Sequence, residues 1–276
     1  MSDSQTFLTM LSKEKLKELA KLKTKKGRDT QGRFLIEGLH LCEEIVSSNW
    51  QTESVLFTNL FQNSPAGKRL MKKFEKRNVK SIPVKSEVMN KLSDTVTPQG
   101  IICVVKIKKF SLSKLWSGCF NVILALDAIR DPGNVGTLIR TADVFGINGV
   151  ILSSDTAELY NPKVVRSTMG SLFHLSIFDD VDLEKTIPKL KNKNFKIYGT
   201  DVKNGKDFEG LNYSGKICLL IGSEAKGLNK KLLQFSDEII RIPTYGKAES
   251  LNASVAGGIL LYEITRRKHE KSAPGN

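Results

Sequence analysis

The sequence predicts an α/β protein in two parts: a small basic α/β domain, then a larger domain with a mostly parallel sheet and helices on both faces. Three observations predict it. Apolar residues at helical spacing alternate with short apolar runs along nearly all of the 276 residues. The runs VILAL and ICLLI are continuously apolar, as in strands buried on both faces. A stretch rich in lysine and serine interrupts the alternation, placing a linker at 107–118 between domains at 1–106 and 119–276.

In the first domain, Leu8, Leu11, Leu16, Leu19 and Leu22 follow helical spacing, with lysines between them and Gly27 as a stop signal. Leu39, Cys42, Ile45 and Val46 form a second helical stripe. Short strands follow at SVLF, VKSIPV and GIICVVKI, with a lysine-rich helix near 66–77. In the second domain NVILALDAI, NGVILS, HLSIF, FKIYGT, GKICLLIG and DEIIRIP read as strands. NVGTLIRTADVFG, the start of NPKVVRSTMGSLF, DLEKTIPKLKNKN and SLNASVAGGILLYEITRRK read as helices. Leu251, Val255, Ile259 and Tyr262 mark the expected apolar face of the last. Ligands of such sheets bind beyond the carboxyl ends of the strands.

Composition narrows the function classes. The formal net charge is +14, and it is uneven. Residues 1–110 carry 21 Lys/Arg against 11 Asp/Glu, while residues 111–276 carry 22 against 18. That surplus favours a polyanion partner, most simply nucleic acid. The basic stretches Lys21 to Arg33 and Lys68 to Lys80 read equally as solvated faces or as a backbone-binding surface. No apolar run is long enough to span a bilayer, and the first residues lack signal-peptide order. Four scattered cysteines without CxxC read as reduced thiols of a cytoplasmic protein, and three histidines make a metal site unexpected.

Three strand-end loops look like chemistry. In RDPGNVGTLIRTADVFG, Pro132 and Gly133 make a turn, Asn134 is placed to cap the helix, and Gly136 permits close packing. Arg140, read as lying in the first turns of that helix, opposes the helix dipole; an anionic substrate group would offset this, since guanidinium binds phosphate in a two-pronged way. In IGSEAKGL the glycines have Walker A spacing, but Leu228 replaces the lysine, which disfavours a nucleotide triphosphatase. Glu224 there reads as a residue near a helix start or a carboxylate at a pocket rim. In RIPTYGKAESLNASVAGG, Ser250 is placed to cap a helix whose first turn holds Asn252. The small residues behind it admit another helix, a loop or a ligand.

Together these loops give N-x-G-x-x-x-R, G-x-E-x-x-G-L and I-P-x-x-G-x-x-x-S-L-N. In that order they resemble the three motifs of the SpoU/TrmH branch of the SPOUT RNA methyltransferases. NPKVVRSTMGSLFHL is also similar to the family, and KKGRDTQGRFLIEGLHLCEEI to the N-terminal substrate-binding domain of its larger members. Thr244-Tyr245 departs from the pattern, where methionine is common after the proline. The resemblance implies a trefoil-knotted catalytic domain, a small RNA-binding domain of ribosomal-protein type, and a homodimer formed through the knot. It implies transfer of a methyl group from S-adenosyl-L-methionine, without a metal, to a ribose 2′-hydroxyl of RNA, with ribosomal RNA favoured over transfer RNA and no membrane partner. By the same match Gly222, Ile242, Leu251, Gly227, Pro243, Gly246 and Thr200 hold the cofactor, while Arg140, Asn134, Glu224, Ser250 and Asn252 form the catalytic set.

Two readings of other classes compete. Asp155, about twenty residues past the first glycine turn, suits an NAD-type oxidoreductase, but the G-x-G-x-x-G spacing is broken. A non-catalytic RNA-binding protein would be expected to lose Arg140 or the third-loop polar residues, and all are present.

Overall fold

A computed structural model describes residues 11–117, 121–147 and 149–272. It divides into two compact units. One comprises the described residues up to Lys108 together with Tyr160–Phe173; the other comprises those of Lys109–Leu159 and from His174 onward.

The first unit has a four-stranded mixed sheet of β1 (Arg33–Glu37), β2 (Thr52–Phe57), β3 (Lys80–Pro83) and β4 (Ile101–Lys106), in the order β1-β4-β2-β3. Central β4 is antiparallel to both neighbours, and β3 pairs in parallel with β2. Leu19 and Leu22 pack on Leu56, Ile82, Met89, Leu92, Ile102 and Val104. Gly27 does not stop the first helix. Lys13–Ala20 runs into a 3-10 turn, and Thr24 caps a second helix, Lys25–Gln31, by accepting from the Gly27 N–H at 3.1 Å. A Cβ on Gly27 would lie 1.9 Å from the Lys21 carbonyl oxygen, so glycine is required by close approach; Gly32, at φ +61°, ends the second helix.

The first unit also takes in a segment that the sequence reading assigns to the second domain. Tyr160 packs tilted against Phe34, with ring centroids 4.7 Å apart, and Phe173 meets the edge of Trp50 at 5.5 Å. These buried rings hold Tyr160–Phe173 in the first unit. The expected linker is likewise not featureless. Its residues Ser113–Ser117 form a helix, and Leu115, 2% exposed, belongs to the second unit's core.

The second unit is a seven-stranded sheet in which every pairing is parallel. Its strands are β5 (Val122–Leu126), β6 (Gly149–Ser153), β7 (Ser176–Val181), β8 (Phe195–Thr200), β9 (Lys206–Asp207), β10 (Lys216–Ile221) and β11 (Glu238–Arg241). The order is β7-β6-β5-β10-β8-β11-β9. Every residue of β5 and β6 is buried, and all of β10 except Lys216, as strands covered on both faces require. Strand β10 lies between β5 and β8, with Leu219 in register with Leu124 on one side and Tyr198 on the other.

The Ala253–Ser272 helix packs on the Pro132–Val144 helix through Gly257, where a Cβ would come within 2.3 Å of Leu138 Cδ2. That approach turns Ala253, Leu260, Leu261 and Ile264 inward. The stripe expected to face the core points outward instead: Val255 is 50%, Ile259 36% and Tyr262 54% exposed. Leu251, ahead of the helix, is exposed as well.

Candidate active site

The first loop leaves β5 through Asp127. The carboxylate of Asp131, not Asn134, caps the helix, accepting from the Asn134 N–H at 2.8 Å. Pro132 takes the first helical position, where its missing N–H costs nothing. The signal was legible as Asp before Pro. Asn134 is thereby free to use its side chain elsewhere. Arg140 is the ninth residue of a thirteen-residue helix, so the dipole argument for an anionic partner does not hold. It is exposed, with no hydrogen bond or ion pair among the described residues.

The second loop is a tight hairpin rather than a helix start. The Ser223 N–H donates to the Gly227 carbonyl at 3.1 Å, and the Gly227 N–H donates back at 2.8 Å. The returning chain presses on Gly222, whose Cβ would stand 2.2 Å from the Leu228 nitrogen. Gly227 sits at φ +67°, in the left-handed region that favours glycine. Glu224 projects from the exposed turn. On the neighbouring strand Thr200 Oγ1 donates to the Leu220 carbonyl at 3.0 Å, one residue before the end of β10.

In the third loop Ile242 and Pro243 are half-buried just past β11, while Gly246, Ser250 and Leu251 are exposed. Asn252, not Ser250, caps the helix. Its Oδ1 accepts from the Ser254 N–H at 2.9 Å and from the Ser254 hydroxyl at 2.6 Å. Ser250 makes no side-chain hydrogen bond among the described residues.

The three loops meet at Asn134. Its Nδ2 donates to Glu224 Oε1 at 2.5 Å, and its Oδ1 accepts from Asn252 Nδ2 at 3.0 Å. Asn134 and Glu224 are 90 residues apart, Asn134 and Asn252 118. A carboxylate can only accept, so Glu224 fixes which way the Asn134 amide points. Sequence reading missed Asp127, half-buried at the end of β5, whose Oδ2 accepts from the Asn229 N–H at 3.0 Å. Burial raises its pKa, with further contributions from nearby Asp155 and Glu184.

Comparison with known proteins decides what this geometry belongs to. A family model described as the SpoU rRNA Methylase family matches residues 121–262, and one described as an MRM3-like substrate binding domain matches residues 13–103. The chain belongs to the SpoU rRNA methylase family. It is 34% identical, over 91% of its length and 96% of the relative's, to the 23S rRNA (guanosine(2553)-2'-O)-methyltransferase RlmP of Bacillus subtilis. It is 30% identical to an uncharacterized tRNA/rRNA methyltransferase of Synechocystis sp., covering 94% of this chain and 93% of that one. Among solved structures it superposes on the AdoMet-bound rRNA methyltransferase of Sinorhizobium meliloti with a TM-score of 0.80 and 29% identity, covering 91% and 94% of the two chains. It superposes on the SpoU methyltransferase AviRb of Streptomyces viridochromogenes, in complex with AdoMet, with a TM-score of 0.82 and 25% identity over 94% and 99%. Membership of the SpoU family removes the oxidoreductase reading. The three loops joined at Asn134 all lie within the matched residues 121–262.

Proposed function

We propose that this protein methylates a ribose 2′-hydroxyl of ribosomal RNA, using S-adenosyl-L-methionine. The observation that carries the reading is the hydrogen-bonded union of Glu224, Asn134 and Asn252, one from each motif-bearing loop, in a SpoU-family chain. Transfer RNA is the alternative substrate of the same chemistry.

The residues suit the cofactor. Gly222 and Thr200 stand at the ends of adjacent parallel strands, and Ile242 and Leu251 offer partly exposed apolar surface beside main-chain groups. An uncharged surface of this kind fits an adenosine better than a polyphosphate. Gly227, Pro243 and Gly246 shape the two turns around it. Bound S-adenosylmethionine supplies an electrophilic methyl group on a positively charged sulfur. Arg140 holds the phosphate beside the target ribose and stabilises charge growing on the 2′-oxygen. A guanidinium scarcely gives up a proton, so the hydroxyl proton passes to a phosphate oxygen or water rather than to Arg140. Asn134, Asn252 and Ser250 orient the ribose, and Glu224 fixes Asn134. Alignment and exclusion of water are the main demands of the step.

In this reading the first unit selects the RNA and the second carries out the transfer through a trefoil-knotted path. The insertion of β10 between β5 and β8 supports such a path. The enzyme acts as a homodimer: Val144, Val255, Ile259 and Tyr262 leave an apolar patch uncovered on two packed helices. A ribosomal substrate places it in the cytoplasm. Incubation with a 23S rRNA transcript and labelled S-adenosylmethionine tests the reading. Label recovered in a 2′-O-methyl nucleoside supports it; no incorporation into ribosomal or transfer RNA would favour a non-catalytic RNA-binding protein.

A further inference from the structure

The two basic stretches of the first unit have different fates in the fold. Of the six cations in Lys21 to Arg33, three are committed to structure, while Lys21, Lys25 and Lys26 stand exposed. Lys23 Nζ donates to the Ser93 carbonyl at 2.7 Å, and buried Arg28 donates to the Leu22 carbonyl at 2.8 Å. Arg33 is paired with Glu53 at 2.7 Å and with Glu18.

The second stretch is not committed in this way. Only Arg77 is spent on the fold, bonding the Val46 and Ser48 carbonyls, each at 2.6 Å. Lys68, Arg69, Lys72, Lys73 and Lys76 stand exposed on the Pro65–Lys76 helix, with no ion pair or side-chain hydrogen bond among the described residues. They fall at i, i+4 spacing in two adjacent rows, 68–72–76 and 69–73, extending about 12 Å along the axis. Glu75 is the helix's single acid. Like charges at this spacing destabilise a helix, and the dipole favours only those near its end, Lys73 and Lys76. The helix is nonetheless firmly held. Ser64 caps it by accepting from the Gly67 N–H at 2.9 Å, and Leu70 and Phe74 are buried beneath it. The result is a rigid rod with an unneutralised cationic ridge.

We infer that this ridge is the surface on which the RNA phosphate backbone docks, gripping charge without reading bases. The inference rests on the proposed function and names where its substrate is held. Flexible cations spaced along a rod complement a line of phosphates, and each contact releases a counterion.

The test uses the full chain and a 23S rRNA transcript of Bacillus subtilis sequence. The variant K68Q/R69Q/K72Q/K73Q/K76Q should show a log Kd against log salt slope shallower by about 4, at roughly 0.7–0.9 for each of the five lost phosphate contacts. Its RNA KM should rise about tenfold or more at physiological salt, with kcat, S-adenosylmethionine affinity and Tm not reduced. Arginine replacements of the four lysines should keep the slope. An unchanged slope, or an equal loss in a variant neutralising Lys189, Lys193, Lys203 and Lys230 of the second unit, overturns the inference. If wild-type protein methylates no RNA yet the ridge variant loses the salt slope, the catalytic reading fails and the docking surface stands.

Discussion

Asn134 holds Glu224 and Asn252 on opposite ends of one amide, at 2.5 and 3.0 Å. Changing it to Asp removes the donor to Glu224 and sets two carboxylates face to face. Asn134→Asp should lower kcat by about 100-fold, a barrier increase of about 2.7 kcal/mol. Asn134→Ala leaves both partners unsatisfied but unrepelled, and should lose less. Single-turnover methyl transfer on the two variants checks the order.

Arg140 has no role in holding the fold among the described residues. Arg140→Ala should therefore leave Tm and S-adenosylmethionine affinity unchanged while nearly abolishing methyl transfer. Retention of wild-type turnover would remove Arg140 from the mechanism. Arg140→Lys should keep part of the activity with an unshifted rate profile; displacement of the profile to lower pH, as the more readily deprotonated amine requires, would indicate that the side chain itself takes the proton.

Two glycines should fail differently. A methyl on Gly222 would meet main-chain atoms of Gly227 and Leu228 that cannot rotate away. Gly222→Ala should displace the hairpin and weaken cofactor binding, read by calorimetry. At Gly257 the obstacle is the Leu138 side chain, itself fully buried. Gly257→Ala should cost about 1–3 kcal/mol of stability through overpacking, read as a fall in Tm.

Phe173 closes the first unit from a distance in sequence. Phe173→Ala should cost about 3 kcal/mol, since it empties a buried aromatic site against Trp50. A fragment ending at Lys108 lacks both Tyr160 and Phe173, and should show a weak, non-cooperative thermal transition by circular dichroism.

Glu263 is buried and receives two hydrogen bonds from Arg266 Nη2, at 2.9 and 2.8 Å, and one from Arg267 Nε at 2.7 Å. Burial alone would raise its pKa, but the bonds from Arg267 and Arg266 outweigh this and hold it below the ordinary carboxylate value. A depressed acid stabilises the fold above its unfolded pKa and loses that effect as pH falls through the folded value. Glu263→Gln should therefore lower stability by about 1–2 kcal/mol at pH 7, and the gap should close below about pH 4. Paired melting curves across pH measure it.

Most of the architecture was legible because buried parallel strands leave uninterrupted apolar runs, as in VILAL and ICLLI. The three loops were legible as chemistry because Asn134, Glu224 and Asn252 stood at strand ends in motif order. What failed depends on distance rather than local pattern. Helical spacing gave the Val255, Ile259 and Tyr262 stripe as readily as the Leu260, Leu261 and Ile264 stripe, and only the close approach at Gly257 chose between them. Gly27 looked like a stop because a short-range rule cannot see the Lys21 carbonyl against which it packs. The placement of Tyr160–Phe173 depended on Phe34 and Trp50, more than a hundred residues away.

The position of β10 sets the timetable of biogenesis. Strand β5 leaves the ribosome some ninety residues before the neighbour that will lie along its second edge. Until Lys216–Ile221 emerges, the nascent chain carries an open, wholly apolar strand edge. The sheet of the second unit therefore cannot close across β5 until those further residues have been made, and the waiting edge is its point of exposure to aggregation.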